Sequence, residues 1–183
     1  DVIFVHQCPV SKKVINEAKN LKYILSCRGG VENIDMEAAK EKGVKVINCP
    51  AHNAYAVAEY TIGMILNELR NITRACMALK SGEWREKYQN SETLTEVRSQ
   101  TIGIIGFGTI GRLVVERLKG FHPTILVNDP FADEDKIREE GCEPVTKEEL
   151  LKRSDVVTIH ARINAGDPPI IGKERSEEHT SEL

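Results

Sequence analysis

Apolar residues along this chain fall into two patterns: short runs of four or five, and longer segments where they recur every three or four positions. The runs Val2–Val5, Tyr23–Ser26 and Val44–Ile47 read as strands. Lys12 to Asn20 places Val14, Ile15 and Ala18 on one helical face, and Asp35 to Glu41 reads as a helix that Asp35 caps and Gly43 ends. Strands that alternate with helical segments indicate parallel pairing through βαβ units. The first half of the chain is therefore predicted to be α/β.

From Ala54 to Lys80 there is no proline, and Val57, Ile62, Ile65, Leu66, Leu69, Ile72 and Ala75 keep a helical period. One helix of that length would run about 40 Å, more than a small core needs, so the pattern predicts an element crossing between two domains. Gly63 inside it costs about 1 kcal/mol and suggests close packing there. Ser81-Gly82 closes the helix, and the polar stretch Tyr88 to Ser99 reads as a linker. Further on, Asp133 to Glu140 is a helix stopped by Gly141, and Glu143-Pro144-Val145 is an edge strand, because proline cannot donate to a ladder. Thr146 to Lys152 is a helix with Thr146 and Glu149 at capping-box spacing, and Asp155 to His160 is a strand.

Between the linker and these elements lies the most specific chemistry. The run Thr101 to Ile105 ends in Gly106, Gly108 and Gly111 at G-x-G-x-x-G spacing, an amphipathic segment follows, and the run Thr124 to Asn128 ends in Asp129. This is the strand, glycine turn, helix, strand and acidic residue of a dinucleotide site, in order. Gly106 permits the tight turn, Gly108 lets the backbone approach a diphosphate, and Gly111 lets the helix pack closely on the strand. Asp129 stands eighteen positions after Gly111, near the spacing of a carboxylate that binds ribose hydroxyls. A similar turn occurs in methyltransferases, so the glycines alone leave that alternative open.

Composition narrows the field only a little. A hydrophobic share of 40% and a charged share of 29% are ordinary for a globular protein. The formal charge of −3, which becomes −1 without the last nine residues (one Arg, three Glu), implies no basic face and argues against a nucleic-acid partner. Five cysteines, odd in number and without a C-x-x-C pair, disfavour a disulfide framework or a zinc site and fit a reducing, cytoplasmic setting. No uninterrupted apolar run approaches the ~20 residues of a membrane span. The chain opens on Asp1 inside an apolar run, and Arg175 to Leu183 resembles the translation of a common sequencing adapter. The sequence is therefore expected to be a fragment whose credible part ends near Glu174.

Several motifs together resemble the D-isomer-specific 2-hydroxyacid dehydrogenases, the family that includes phosphoglycerate dehydrogenase. They are Arg28-Gly29-Gly30-Val31-Glu32-Asn33-Ile34-Asp35, Val46-Ile47-Asn48-Cys49-Pro50, Ala56-Val57-Ala58-Glu59-Tyr60-Thr61, Ser81-Gly82-Glu83-Trp84, the glycine turn, and Asp155 to His160. The resemblance runs in register from Asp1 to Glu174. It implies two Rossmann-like parallel-sheet domains, both incomplete in this chain. Residues 1–98 would be the first segment of the catalytic domain including the long helix, 99–174 the first half of the NAD-binding domain, and 175–183 a non-native tail.

The resemblance further implies NAD contacts at Gly106, Gly108, Thr109, Ile110, Gly111, Asp129, Ala161 and Arg162, and substrate-carboxylate contacts from the backbone of Gly29 and Gly30; Arg28, after a strand end, is a further candidate for the substrate. A small 2-hydroxy or 2-oxo acid would be the substrate, with no metal, and the parent would be a cytoplasmic homodimer. Asn128, Asn164 and Ala165-Gly166 depart from the family's usual residues. The family's catalytic arginine, glutamate and histidine lie beyond the position of Glu174, so no catalytic residue is assigned and the 183-residue chain is expected not to turn over substrate. His52 reads as a surface turn residue, and His160 receives no catalytic role. Glu59 reads as a structural contact, and Arg28 stands open between an anion contact and a local ion pair. A non-catalytic NAD-sensing corepressor on the same scaffold is the alternative.

Overall fold

The computed structural model describes residues 1–83, 88–162 and 168–172; Trp84, Asn164, Ala165, Gly166 and the 175–183 segment lie outside the described residues. The chain forms two compact units, Asp1–His52 with Arg162–Leu183, and Asn53–Ala161.

In the first unit the order is β1 (Val2–Val5), α1 (Lys12–Glu17), β2 (Tyr23–Ser26), α2 (Met36–Glu41) and β3 (Lys45–Asn48). The three strands pair in parallel in the order β1-β2-β3, with Val5 level with Ser26 and Ser26 level with Asn48. Alternation sends Val5, Ile24 and Val46 to one face, where they pack with Ile15, Ala38 and Ala39 of the helices. The opposite face carries Val2, Phe4, Tyr23 and Ile47, all exposed. Asp35 caps α2 as expected, its carboxylate accepting the Ala38 N–H at 2.9 Å. The helix α1 stops at Glu17, short of the expected Asn20. Lys42 explains the early stop, since its ammonium donates to the carbonyls of Ile15, Asn16 and Ala18 and so satisfies groups the helix leaves open.

The second unit contains α3 (Ala54–Leu69), α4 (Ile72–Lys80), β4 (Thr101–Ile105), α5 (Thr109–Leu118), β5 (Thr124–Asn128), α6 (Glu134–Glu139), β6 (Glu143–Pro144), α7 (Lys147–Arg153) and β7 (Val156–Ile159). Its sheet is parallel throughout, in the order β6-β5-β4-β7. β4 and β5 read as nearly continuous apolar runs because helices cover both faces. On one face Ile102, Ile104 and Val127 meet Val114, Val115 and Leu118 of α5, with Ala58 and Ile65 of α3 in the same core. On the other, Gly103 lets α7 in so closely that a β-carbon there would stand 2.5 Å from Leu150 Cδ2.

The expected single helix from Ala54 to Lys80 is two helices broken at Arg70-Asn71. Asn71 is buried in the left-handed conformation (φ 55°), which asparagine tolerates better than most residues. Its side-chain amide donates to the Gln89 carbonyl at 2.8 Å, and Asn67 Oδ1 accepts the Thr73 N–H at 3.1 Å across the break. The apolar period continued through the joint, so spacing alone could not show it. The expected linker is tied to this joint rather than loose: Thr95 N–H donates to Leu69 O at 3.2 Å, and Val97 is buried in the core. The compact units divide at residue 52, with α3 packed along α5 in the second. Replacing Asn71 with alanine is expected to destabilise the chain by about 1–3 kcal/mol through the lost buried hydrogen bond and the strained dihedral. Urea denaturation checks this, and an unchanged midpoint would contradict the role given to the joint.

Candidate dinucleotide-binding site

Parallel strands β4 and β5 end side by side, Ile105 level with Asn128. From β4 the sheet continues through β5 and β6 on one side and β7 on the other, so β4 is the point where strand order reverses. In open α/β sheets the crevice at the carboxyl ends of such strands is where ligands bind.

The three glycines of the turn are required for three different reasons. Gly106 has φ +97°, and a β-carbon on it would stand 2.6 Å from the Ala161 nitrogen and 2.7 Å from the His160 carbonyl carbon. A β-carbon at Gly111 would collide with the Gly106 carbonyl oxygen, so glycine there lets α5 rise directly against the turn. Gly108 is extended, and nothing lies within 4 Å of where its side chain would be. A ligand can thus meet the backbone closely at that point. Gly108 also caps α5, its carbonyl accepting the Arg112 N–H at 3.1 Å. The amides of Thr109, Ile110 and Gly111 are the first of the helix and have no acceptor within it. With the helix dipole they form a positive, donor-rich end suited to phosphate oxygens.

Asp129 stands at the end of β5 directly over this turn. One carboxylate oxygen accepts the Phe107 N–H at 2.7 Å and the other accepts the Phe131 N–H at 2.9 Å. A carboxylate offers about four acceptor positions, so two remain for hydroxyl donors. The open space at Gly108, the donor end of α5 and the spare acceptors of Asp129 together fit a ribose-diphosphate group. Phe107 and Arg112 were not singled out in the sequence, yet both shape the turn. Phe107 is buried, Arg112 Nε donates to its carbonyl at 3.1 Å, and the guanidinium carbon lies 5.2 Å from its ring centroid. Phe107 occupies a variable position of the motif; the only signal was a basic residue directly after the third glycine.

Ala161 lines Gly106 through its backbone, while Arg162 is exposed and falls in the other compact unit. His160 donates its N–H to Ile105 O at 2.7 Å, and its Nε2 lies 2.9 Å from Thr158 Oγ1. Asn128, a departure from the family pattern, ties β5 to the edge by donating to Val145 O at 2.9 Å. Glu59 pairs with Arg117 at 3.9 Å, the structural contact expected. A cleft of about 540 Å³ runs along the flank of α5, lined by Thr109, Arg112, Glu116 and Glu140 among others. Gly108 also lines it, so the cleft opens from the turn itself, while Asp129 is not among its lining residues.

In the first unit, Arg28-Gly29-Gly30 follows β2, and the unit's own donors engage all three carbonyls. Cys49 N–H donates to Arg28 O at 2.9 Å, Asn48 Nδ2 to Gly29 O at 2.6 Å and Ser26 Oγ to Gly30 O at 3.1 Å. Arg28 lies 3.8 Å from Glu32, a local ion pair, and His52 Nδ1 lies 3.2 Å from Cys49 O. Among the described residues no group of three or more His, Cys, Asp and Glu is placed to hold a metal ion. Nor is any described helix long and apolar enough to cross a membrane.

A doubly wound parallel sheet with this turn and this acid defines a dinucleotide-binding α/β domain. Residues 62–181 match the model of the NAD binding domain of the D-isomer specific 2-hydroxyacid dehydrogenases, and the chain belongs to that family. It is 39% identical over 178 residues to a D-3-phosphoglycerate dehydrogenase of Methanocaldococcus jannaschii, covering 96% of this chain and 33% of the relative. It is 37% identical over 175 residues to a hydroxypyruvate reductase of Thermotoga maritima, covering 95% of this chain and 55% of the relative. Among solved structures, a D-lactate dehydrogenase from Aquifex aeolicus, complexed with NAD and lactic acid, superposes with a TM-score of 0.79 at 30% identity. That match covers 90% of this chain and 49% of the other. The chain thus spans between a third and about half of the length of these relatives.

Burial holds the pKa of His160 below its ordinary value, so the folded chain keeps the ring neutral where the unfolded chain begins to take up a proton. Well above the ordinary value of about 6.5 both states are neutral and His160 adds no pH dependence. As pH falls below that value the unfolded state is favoured, until the lower folded pKa is passed. Stability measured by denaturation from pH 7 downward should therefore fall less steeply in His160→Gln than in the parent chain. An identical slope in both would contradict the assignment.

Proposed function

We propose that the chain forms part of an NAD-dependent oxidoreductase acting on the CH–OH group of a D-2-hydroxy acid or the corresponding 2-oxo acid. The observation that supports this reading is the 2.7 Å contact between the Asp129 carboxylate and the Phe107 N–H of the glycine turn. The amides of Thr109 and Ile110 hold the coenzyme diphosphate, with Gly106 and Gly111 fixing the turn and Gly108 opening it. Asp129 accepts from the adenosine ribose and repels a 2′-phosphate, which selects NAD over NADP. Ala161 and Arg162 add contacts beyond β7. The nicotinamide, when bound, carries the hydride, and the residues of this chain bind and orient it.

In the first unit, the engaged carbonyls of the Arg28–Gly30 loop leave its N–H groups, with the Arg28 guanidinium, as the part that meets a substrate carboxylate. In functional terms residues 1–98 belong to the substrate side and 99–174 to the coenzyme side, in a cytoplasmic homodimer. The phosphoglycerate, hydroxypyruvate and lactate acids named for the relatives are the substrate class to screen. No residue of this chain is given the acid–base role.

NADH fluorescence titration tests the coenzyme assignment. The chain should bind NADH at least about tenfold more tightly than NADPH, and Asp129→Ala should weaken NADH by about 10- to 100-fold, the loss of hydrogen bonds to a charged acceptor. Equal affinity for the two coenzymes, or an Asp129→Ala chain that binds NADH as tightly as before, would overturn it.

A further inference from the structure

Phe107 is the only residue of the turn between Gly106 and Gly108, and it is held from three directions. Its N–H donates to Asp129 Oδ2 at 2.7 Å, its carbonyl accepts from Arg112 Nε at 3.1 Å, and its buried ring lies under the same guanidinium at 5.2 Å. The two holding groups carry opposite charge and come from different elements, one from the end of β5 and one from the first turn of α5. Gly106 and Gly108 on either side carry no side chain to restrict the backbone, and glycine is the residue with most freedom to lose. A turn built from two glycines keeps one shape only if something else fixes the peptide units between them.

We propose that Arg112 is a positioning residue for coenzyme binding. With Asp129 it forms a charge-paired clamp on the two peptide groups that flank Phe107, and so holds the glycine turn in its phosphate-accepting shape before any ligand arrives. Arg112 acts through Phe107, to which its Nε and one face of its guanidinium are committed. Asp129 then has two duties on different atoms: two acceptor positions fix amides and the remaining two meet the ribose. Ribose binding and turn shape are thereby coupled through one carboxylate. A turn fixed in advance spares the ligand the cost of ordering it, which is the general route by which rigidity raises affinity. A lysine at 112 keeps the charge but has neither the Nε–H at that position nor a planar face to stack.

The binding consequence rests on the nucleotide reading given above; the clamp itself does not, and one experiment on the full chain separates them. Amide hydrogen exchange by NMR in the ligand-free protein reads the Phe107 N–H directly, and calorimetric titration with ADP reads the phosphate site. In Arg112→Lys and Arg112→Met the Phe107 amide should exchange about tenfold or more faster while the amides of β4 stay protected. ADP affinity should fall about tenfold, with no rescue by lysine, reflecting a lost hydrogen bond and a lost cation–π contact. Wild-type Phe107 exchange in Arg112→Lys would overturn the clamp, as would ADP affinity restored by lysine, which would mean that the charge alone matters. If the parent chain binds no ADP while Phe107 exchange responds to Arg112 as stated, the clamp stands and the nucleotide reading falls.

Discussion

The short hydrogen bond from the Phe107 amide to the Asp129 carboxylate is the point at which strand order becomes a binding geometry. Parallel pairing of β4 with β5 brings the two strand ends to one edge of the sheet, but pairing alone leaves a glycine turn and an acid as neighbours without a fixed relation. The carboxylate supplies that relation. It ties the Phe107 amide of the turn to the end of β5, and a carboxylate has more acceptor positions than its two amide contacts use. The glycine requirements follow from the same crowding: Gly106 has the Ala161 backbone against it, and Gly111 has the Gly106 carbonyl against it. Such closeness is available only where side chains have been removed, and the price is conformational freedom that the Asp129 and Arg112 contacts offset.

Around this point the second unit is built for rigidity. Apolar strands buried on both faces carry the turn, and α3 braces α5 from outside through Ala58 and Ile65. The Asn71 joint redirects the chain so that its next segment can be tied down beside α3. Among the described residues the first unit is lighter, with three strands and one covered face. Its loop at Arg28–Gly30 is nonetheless closely determined, because neighbouring side chains and backbone take up each carbonyl. In each unit the candidate loop lies at strand ends and is held by hydrogen bonds from groups of that unit.

Most of this architecture was legible in the sequence, for identifiable reasons. Strands buried on both faces announce themselves as apolar runs, and the G-x-G-x-x-G turn names its own neighbours. Asp35 and Thr146 act as caps where their spacing placed them, with Thr146 Oγ1 accepting the Glu149 N–H at 3.2 Å. The Glu149 side chain, however, turns to Arg153 at 2.7 Å, so only half of the expected capping box forms. What stayed hidden were features made by a single residue against distant partners. The break at Asn71 rests on a bond to Gln89, eighteen positions away, and the short α1 rests on Lys42, which reaches back from the next helix. The packing of α3 on α5 was not legible, because helical periodicity says which face of α3 is apolar, not which element covers it. In the site, Phe107 and Arg112 escaped notice because a motif marks the positions where glycine is needed and is silent about the residues between.

Membership in the D-isomer specific 2-hydroxyacid dehydrogenases gives the turn its expected ligand, and the geometry says which atoms should meet it. The most direct test is to map backbone amide shifts of the nitrogen-labelled chain on adding NAD. The account predicts that the largest changes fall on Gly108 to Gly111 and on Asp129, with α1 and α2 of the first unit unmoved. Changes confined to the flank of α5, at Leu113, Glu116 and Glu140, with the turn amides silent, would contradict it.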